Sequence, residues 1–132
     1  MIDPRVTIGH VHLKVAGLDR ALRFWCGVRG FEVTARLGGQ AAFISAGGYH
    51  HHIGLNTWES RAGSAPPRNA TGLYHVAILY PDRAALAVAL RDLVEAGVPL
   101  EGAADHGVSE ALYLRDPDDN GVELYRDRPR DE

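Results

Sequence analysis

The stretch HGVSEALYLRDPDDNGVELY (106–125) decides the fold, because it predicts two β-strands joined by a tight turn. ALYLR (111–115) and VELY (122–125) are β-prone, and DPDDNG (116–121) between them is rich in residues that reverse a chain. Glu123 is a carboxylate within the second, apolar strand. Because a buried, unpaired carboxylate costs several kcal/mol, we expect a cation or hydrogen-bond donors opposite Glu123.

The N-terminal half predicts a strand, a helix and three further strands. In RVTIGHVHLKV (5–15), polar and β-branched residues alternate. The alternation places one set of residues on one face, Ile8, His10, His12 and Lys14, and a second set on the other, Gly9, Val11, Leu13 and Val15. Asp19 is a candidate N-cap of the helix, and Gly30 is expected to end it. The strands predicted after the helix are 31–36, AAFISA (41–46) and YHHHIGLNTW (49–58).

The C-terminal half predicts the same order of elements after a linker at 59–72, which is rich in Gly, Pro, Ser and Ala. LYHVAILY (73–80) predicts a strand, and Pro81-Asp82 begins a helix over 83–96. A short strand and a loop in 98–107 then lead into the opening hairpin.

The two halves therefore align as a repeat. His10-Val11 matches His75-Val76 at an offset of 65 residues, and the offset drifts to about 70–72 by the last strand. That drift makes His51 the approximate counterpart of Glu123. We predict an α+β fold of two tandem βαβββ modules, about 5–58 and about 73–127, within a single domain spanning 1–132.

Composition narrows the function classes. A chain of 132 residues with 45% hydrophobic content and a net charge of −3 fits one ordinary globular domain. It has no Lys/Arg run, which argues against nucleic acid or an anionic membrane as partner. Its N-terminus does not resemble a signal peptide, and its apolar runs are far shorter than the roughly 18 residues of a membrane span. Cys26 is the only cysteine, which suits a reducing cytoplasm.

Three residues stand out as candidate metal ligands. His10 and His75 occupy matching positions on the first strand of each module, and Glu123 lies on the last strand of the second module. In a pseudo-symmetric sheet, these side chains can converge on one point. A single histidine is more often a satisfied core or surface residue, but two imidazoles with one carboxylate form the facial triad of non-haem Fe(II) oxygenases. The sequence therefore predicts a metal site at His10, His75 and Glu123.

Three segments together resemble the vicinal-oxygen-chelate superfamily, whose members include glyoxalase I, bleomycin- and fosfomycin-resistance proteins and extradiol ring-cleaving dioxygenases. They are IGHVHLKVAGLDRALRFW (8–25), LYHVAILYPDRAAL (73–86) and LYLRDPDDNGVELY (112–125), and the likeness extends from about residue 6 to 127. The resemblance implies paired βαβββ modules that form a curved mixed sheet around a metal. It also implies the same ligands: His10, His75 and Glu123.

Within that superfamily, the resemblance favours the dioxygenases. Glyoxalase I-like members place a fourth carboxylate ligand on the last strand of the first module, where this chain has YHHHIGLN (49–56). Extradiol dioxygenases place an acid–base histidine there, and His51 in HHIGL resembles it. HGVS, which begins at His106, and Tyr113, ten residues before Glu123, resemble further dioxygenase site residues. The implied function is cleavage of a catechol-like aromatic diol with O2 and Fe(II), or with Mn(II) in its place; the implied catalytic residues are His51, His106 and Tyr113.

Two other function classes remain open. One is a metal-dependent lyase or isomerase of the glyoxalase type, or a transferase that opens an epoxide antibiotic of the fosfomycin kind. The other is a binder that sequesters a bleomycin-type antibiotic between two copies of the chain. Superfamily members frequently form homodimers and sometimes build the metal site across two chains. A homodimer is therefore expected for this chain. The sequence leaves open whether its metal site is built within one chain or across two, and which of His50, His51 and His52 faces the site.

Overall fold

The structure, a computed structural model, describes residues 1–131 and contains eight strands and two helices in that range. The first helix continues without a break into a wider, π-helical segment at Arg23–Val28. The strands are β1 (Val11–Lys14), β2 (Glu32–Leu37), β3 (Ala41–Ser45), β4 (Ile53–Asn56), β5 (Val76–Leu79), β6 (Gly102–Asp105), β7 (Ser109–Arg115) and β8 (Gly121–Asp127), and the helices are α1 (Leu18–Leu22) and α2 (Arg83–Glu95).

The strands form two four-stranded mixed sheets with the same topology. The strand orders are β1-β4-β3-β2 and β5-β8-β7-β6. In each sheet, the first strand of the module pairs in parallel with the last, and the other pairs are antiparallel. The predicted α+β fold of two βαβββ modules is therefore confirmed. The hydrogen bonds divide its curved sheet into one sheet per module.

One apolar core joins the two modules. It includes Leu13 of β1 and Val15 directly after it, Trp25 after α1, Leu93 of α2 and Leu124 of β8. The alternation predicted for β1 is observed, since Leu13 and Val15 are buried whereas His12 and Lys14 are exposed. The residues between the modules, 59–72, contain neither helix nor strand. Within residues 1–131, no helix is long and apolar enough to cross a membrane.

Polar contacts also tie the modules together. In the turn between β7 and β8, Asp118 Oδ1 accepts hydrogen bonds from the Ala16 backbone N–H at 2.8 Å and from Arg20 Nη2 at 2.6 Å. The Arg29 guanidinium donates to the Tyr80 hydroxyl and to the Ala89 carbonyl, each at 3.2 Å. The position of one module is therefore fixed relative to the other by directional bonds as well as by the shared core.

The two helices begin differently. Asp82 caps α2, because its Oδ1 accepts from the Ala85 backbone N–H at 2.8 Å. The prediction that Asp19 caps α1 is wrong, since the extended residue before this helix is Gly17 and Asp19 lies in the first turn. The helix begins earlier than predicted, at Leu18, whose buried side chain packs in the core. Gly30, with φ of +88°, follows the π-helical segment as predicted.

The predicted strand over 49–58 is too long. Only Ile53–Asn56 is extended and paired, and residues 46–52 form a loop. The ladders explain the difference, because Ile53 is the first β4 residue with a partner on either side, Val11 in β1 and Ile44 in β3. The three consecutive histidines therefore lie in the β3–β4 loop, next to β4 rather than within it.

Candidate functional site

Two of the predicted metal ligands, His75 and Glu123, meet on one face of the C-terminal sheet. His75 directly precedes β5, and Glu123 lies in β8 opposite Ala77. His75 Nε2 and Glu123 Oε2 are 3.1 Å apart, and the Glu123 side chain is only 16% exposed. The close approach depends on Gly121, since a Cβ there would lie 2.2 Å from the Tyr74 carbonyl oxygen and 3.0 Å from the His75 Cβ. The carboxylate that stood out in the sequence thus has an imidazole beside it.

Tyr113 and His106 extend this group. Tyr113 is paired with Glu123 across the β7–β8 ladder, and its hydroxyl lies 3.1 Å from His106 Nε2. The pKa of the Tyr113 phenol is raised, first by desolvation and second by the negative charge of Glu123. Tyr113 is therefore protonated at neutral pH and available as a hydrogen-bond donor. We call His75, Glu123, Tyr113 and His106 the C-terminal half-site.

The other two predicted site residues meet on the N-terminal module. His10 directly precedes β1, and its ring centroid lies 4.3 Å from that of His51. The His51 ring also contacts Phe43, with a centroid distance of 5.1 Å. The pKa of His51 is lowered, mainly by desolvation and then by His10 and the other nearby histidines, so His51 is neutral at pH 7. We call His10 and His51 the N-terminal half-site.

The counterpart of Glu123 in the first module is Gly54, not His51 as the offset predicted. Glu123 pairs with the residue two positions after His75, and Gly54 pairs with His12, two positions after His10. The error arises because the offset treated residues of the β3–β4 loop as part of the last strand, whereas β4 begins only at Ile53. A Cβ on Gly54 would lie 2.6 Å from His12 Nδ1, so the His12 ring occupies the space of a side chain there. A fourth carboxylate ligand is therefore absent from this position.

An aromatic surface lies beside His10 and was only partly predicted. The His12 ring contacts Phe43 edge-on at a centroid distance of 5.9 Å and Trp58 at 5.7 Å. Trp58 is 55% exposed, which is unusual for so large an aromatic side chain. Alternation along β1 already placed His12 on the same face as His10. Phe43 and the role of Gly54 had no signal in the sequence, since they depend on strand register.

The structure brings the predicted site residues together in three pairs. His75 lies next to Glu123, His106 next to Tyr113, and His10 next to His51. Among residues 1–131, no group of three or more His, Cys, Asp or Glu side chains is placed to hold one metal ion. The three predicted ligands, His10, His75 and Glu123, are therefore not assembled as one group within this chain.

Donor chemistry and spacing suit a first-row divalent ion. Imidazole and carboxylate are ligands of non-haem iron. Two ligands bound at about 2.1 Å and at right angles to each other lie about 3 Å apart. The distance of 3.1 Å between His75 Nε2 and Glu123 Oε2 matches that spacing.

The fold and this pair of half-sites define a chain of paired βαβββ modules with imidazoles on both modules and a carboxylate on the second. The chain belongs to the Glyoxalase/Bleomycin resistance protein/Dioxygenase superfamily, whose family model matches residues 7–124. The fold is similar to that of the lactoylglutathione lyase from Agrobacterium tumefaciens, with a TM-score of 0.73, 25% identity and coverage of 94% of this chain and 96% of that one.

Two curated relatives are similar along nearly the whole chain. The catechol-2,3-dioxygenase of Bacillus subtilis (strain 168) is 48% identical over 123 residues, which are 93% of this chain and 42% of the relative. The biphenyl-2,3-diol 1,2-dioxygenase 3 of Rhodococcus globerulus is 29% identical over 128 residues, which are 96% of this chain and 65% of the relative. The chain thus spans less than half the length of the first relative and about two thirds of the second.

Proposed function

We propose that this chain acts as an extradiol-type dioxygenase, which opens the ring of a small aromatic vicinal diol with O2. The C-terminal half-site is the observation that supports this most. His75 lies beside Glu123, and the protonated Tyr113 phenol lies beside the second imidazole, that of His106. The relatives' names support the reaction class, since one is named catechol-2,3-dioxygenase and another biphenyl-2,3-diol 1,2-dioxygenase 3.

His10, His75 and Glu123 are the proposed ligands of Fe(II), for which Mn(II) is the alternative ion. The chemistry of the donors and the spacing of His75 and Glu123 fit such an ion. When bound, Fe(II) would supply coordination positions for the two vicinal oxygens of the diol and for O2. Three protein ligands would leave these positions available.

The other site residues have separate tasks in this proposal. Tyr113, whose pKa is raised, donates a hydrogen bond to a substrate oxygen. His106, 3.1 Å from the Tyr113 hydroxyl, accepts the proton that the diol loses on binding. His51, neutral because its pKa is lowered, accepts and returns a proton on the O2 side of the substrate. The aromatic surface of His12, Phe43 and Trp58 packs against the substrate ring.

We further infer that the active form is a homodimer in which the N-terminal half-site of one copy completes the C-terminal half-site of the other. Within one chain, the described residues do not gather three metal ligands. Both half-sites also lie on exposed or half-exposed surfaces: His10 is exposed, and the His75 side chain is 33% exposed. A shared site would bury both half-sites at once.

Complementation tests the shared site. His10→Ala and Glu123→Ala each remove one ligand, and each variant alone is expected to be inactive. If sites are shared between copies, a mixed dimer has one intact site, so a refolded equimolar mixture recovers about a quarter of the wild-type activity. A mixture with no recovery, despite heterodimers detected by native mass spectrometry, places the site within one chain.

The position of Gly54 argues against the lyase alternative. A lyase with a fourth carboxylate ligand requires a side chain at that position, and the His12 ring occupies the space instead. The lactoylglutathione lyase that shares the fold is 25% identical to this chain, whereas the catechol-2,3-dioxygenase is 48% identical. A hemithioacetal substrate should therefore give no turnover with the protein loaded with Ni(II), Zn(II) or Fe(II).

Substrate turnover tests the reaction class directly. Protein loaded anaerobically with Fe(II) is mixed with a panel of catechols and then with air. We expect O2 uptake and a yellow ring-fission product, and we expect neither from Glu123→Gln. Glu101→Gln is the matched control, because Glu101 is an exposed carboxylate of the same module that pairs with Arg115. No product from any catechol at full Fe(II) occupancy would refute the proposed reaction.

A further inference from the structure

The β3–β4 loop, residues 46–52, contains an unusual pair of histidines. The Nδ1 atoms of His50 and His51 are 2.8 Å apart. At this distance the two rings can share one proton in a hydrogen bond, and an ion bound by both nitrogens would take the place of that proton. His50 is exposed and His51 is half-exposed, so a solute can reach both.

The surrounding bonds hold this pair in place. The Thr34 hydroxyl donates to the His50 carbonyl at 2.5 Å, and the His52 backbone N–H donates to the Ile44 carbonyl at 2.8 Å. The Tyr49 ring stacks on His50 with a centroid distance of 4.1 Å. Because the loop is anchored on both sides of the pair, bringing the two nitrogens together costs little further conformational entropy.

We propose that His50 and His51 form a second metal-binding site, for a transition-metal ion that prefers right-angled ligand geometry, Cu(II) or Ni(II). With metal–nitrogen bonds of about 2.0 Å, ligands at right angles lie about 2.8 Å apart, whereas tetrahedral ligands lie about 3.3 Å apart. The observed 2.8 Å matches the first spacing. The Irving–Williams order further favours Cu(II).

The site has two protein ligands, and water completes it. The third loop histidine does not join, because His52 Nδ1 lies 3.2 Å from the Ser45 hydroxyl and 3.3 Å from the Ala46 backbone nitrogen. This site adjoins the proposed iron site, because the His51 ring contacts that of His10 at a centroid distance of 4.3 Å. Neither His50 nor His51 is a proposed iron ligand, so the two ions would have different protein ligands. It does not rest on the proposed dioxygenase function, since binding needs only the two imidazoles.

Cu(II) titration of the metal-free protein, followed by electron paramagnetic resonance, tests the site. The wild-type protein should show a tetragonal signal with splitting from two imidazole nitrogens. His50→Gln should lose that signal and bind Cu(II) at least tenfold more weakly at this site. Its circular dichroism spectrum should be unchanged. His106→Gln, which removes an imidazole from the other module, should bind as the wild type does.

Two results would overturn the proposal. One is a Cu(II) signal of unchanged strength and affinity in His50→Gln. The other is a signal that survives in His50→Gln but disappears in His75→Gln, because the ion would then occupy the proposed iron ligands. Neither result depends on catechol turnover, so a failed Cu(II) site and a failed dioxygenase assay are distinguishable.

Discussion

Gly121 is the position where one added methyl group should damage the site most directly. In Gly121→Ala, the new Cβ would lie 2.2 Å from the Tyr74 carbonyl oxygen and 3.2 Å from the His75 Cα, so the start of β5 must move by roughly 1 Å. Overpacking of this kind costs about 2 kcal/mol, which lowers the Tm of a domain of this size by roughly 6–10 °C. The same movement carries His75 away from Glu123. A displacement of about 1 Å in a reacting group can cost roughly 100-fold in rate.

Thermal melts, Fe(II) binding and catechol turnover of this variant measure each part of that expectation. Gly102→Ala is the matched control, since a Cβ there would meet only the Tyr113 ring edge, at 4.0 Å. We expect Gly102→Ala to keep its Fe(II) affinity and most of its stability. The reasoning is refuted if Gly121→Ala melts within about 1 °C of the wild type and binds Fe(II) equally well. The start of β5 would then accommodate a methyl group that the distances from Gly121 to Tyr74 and His75 exclude.

Three further changes test other parts of the structure. His51→Phe should keep the bound metal, measured by elemental analysis, but lower kcat by about 10²- to 10⁴-fold; retained turnover would transfer its role to another side chain. Gly54→Ala should destabilise the fold by about 1 kcal/mol in urea melts, because its Cβ meets His12 Nδ1 at 2.6 Å, and the loss should shrink in the His12→Ala background. Asp118→Ala should lower the free energy of unfolding by about 1–3 kcal/mol, because it removes the hydrogen bonds to Ala16 and Arg20. Replacement of Asp3, which forms an exposed ion pair with Arg5, should cost little, and equal costs would contradict this account.

The parts of the fold that sequence predicted are those with a repeating physical signal. The alternation in β1 predicted which face is buried, because a strand exposes successive side chains on opposite faces. Asp82 marks the start of α2, because few side chains can accept a hydrogen bond from the first helical N–H groups. Gly30 marks a helix end, because its positive φ favours glycine. Proximity of His75 and Glu123 followed from the matching of the modules, and their 3.1 Å contact agrees with it.

The parts that sequence did not predict depend on contacts between distant segments. β4 begins where its ladders with β1 and β3 begin, at the pairs of Ile53 with Val11 and Ile44, so the histidines before it were wrongly assigned to the strand. Gly54 carries no pattern of its own, and only the register makes it the counterpart of Glu123. Whether His10 joins the other ligands depends on the arrangement of modules or copies, which no local pattern encodes.

The parallel pairing of first and last strands in each module has a consequence for the order of folding. β5 and β8 are the strands most distant in sequence within their module, and their contact brings His75 to Glu123. Closing so long a loop is entropically slow, so local elements such as α2 and the β7–β8 hairpin should form earlier. The contact between His75 and Glu123 is then among the last features to appear during folding. An ion added during refolding should therefore slow unfolding more than it accelerates folding.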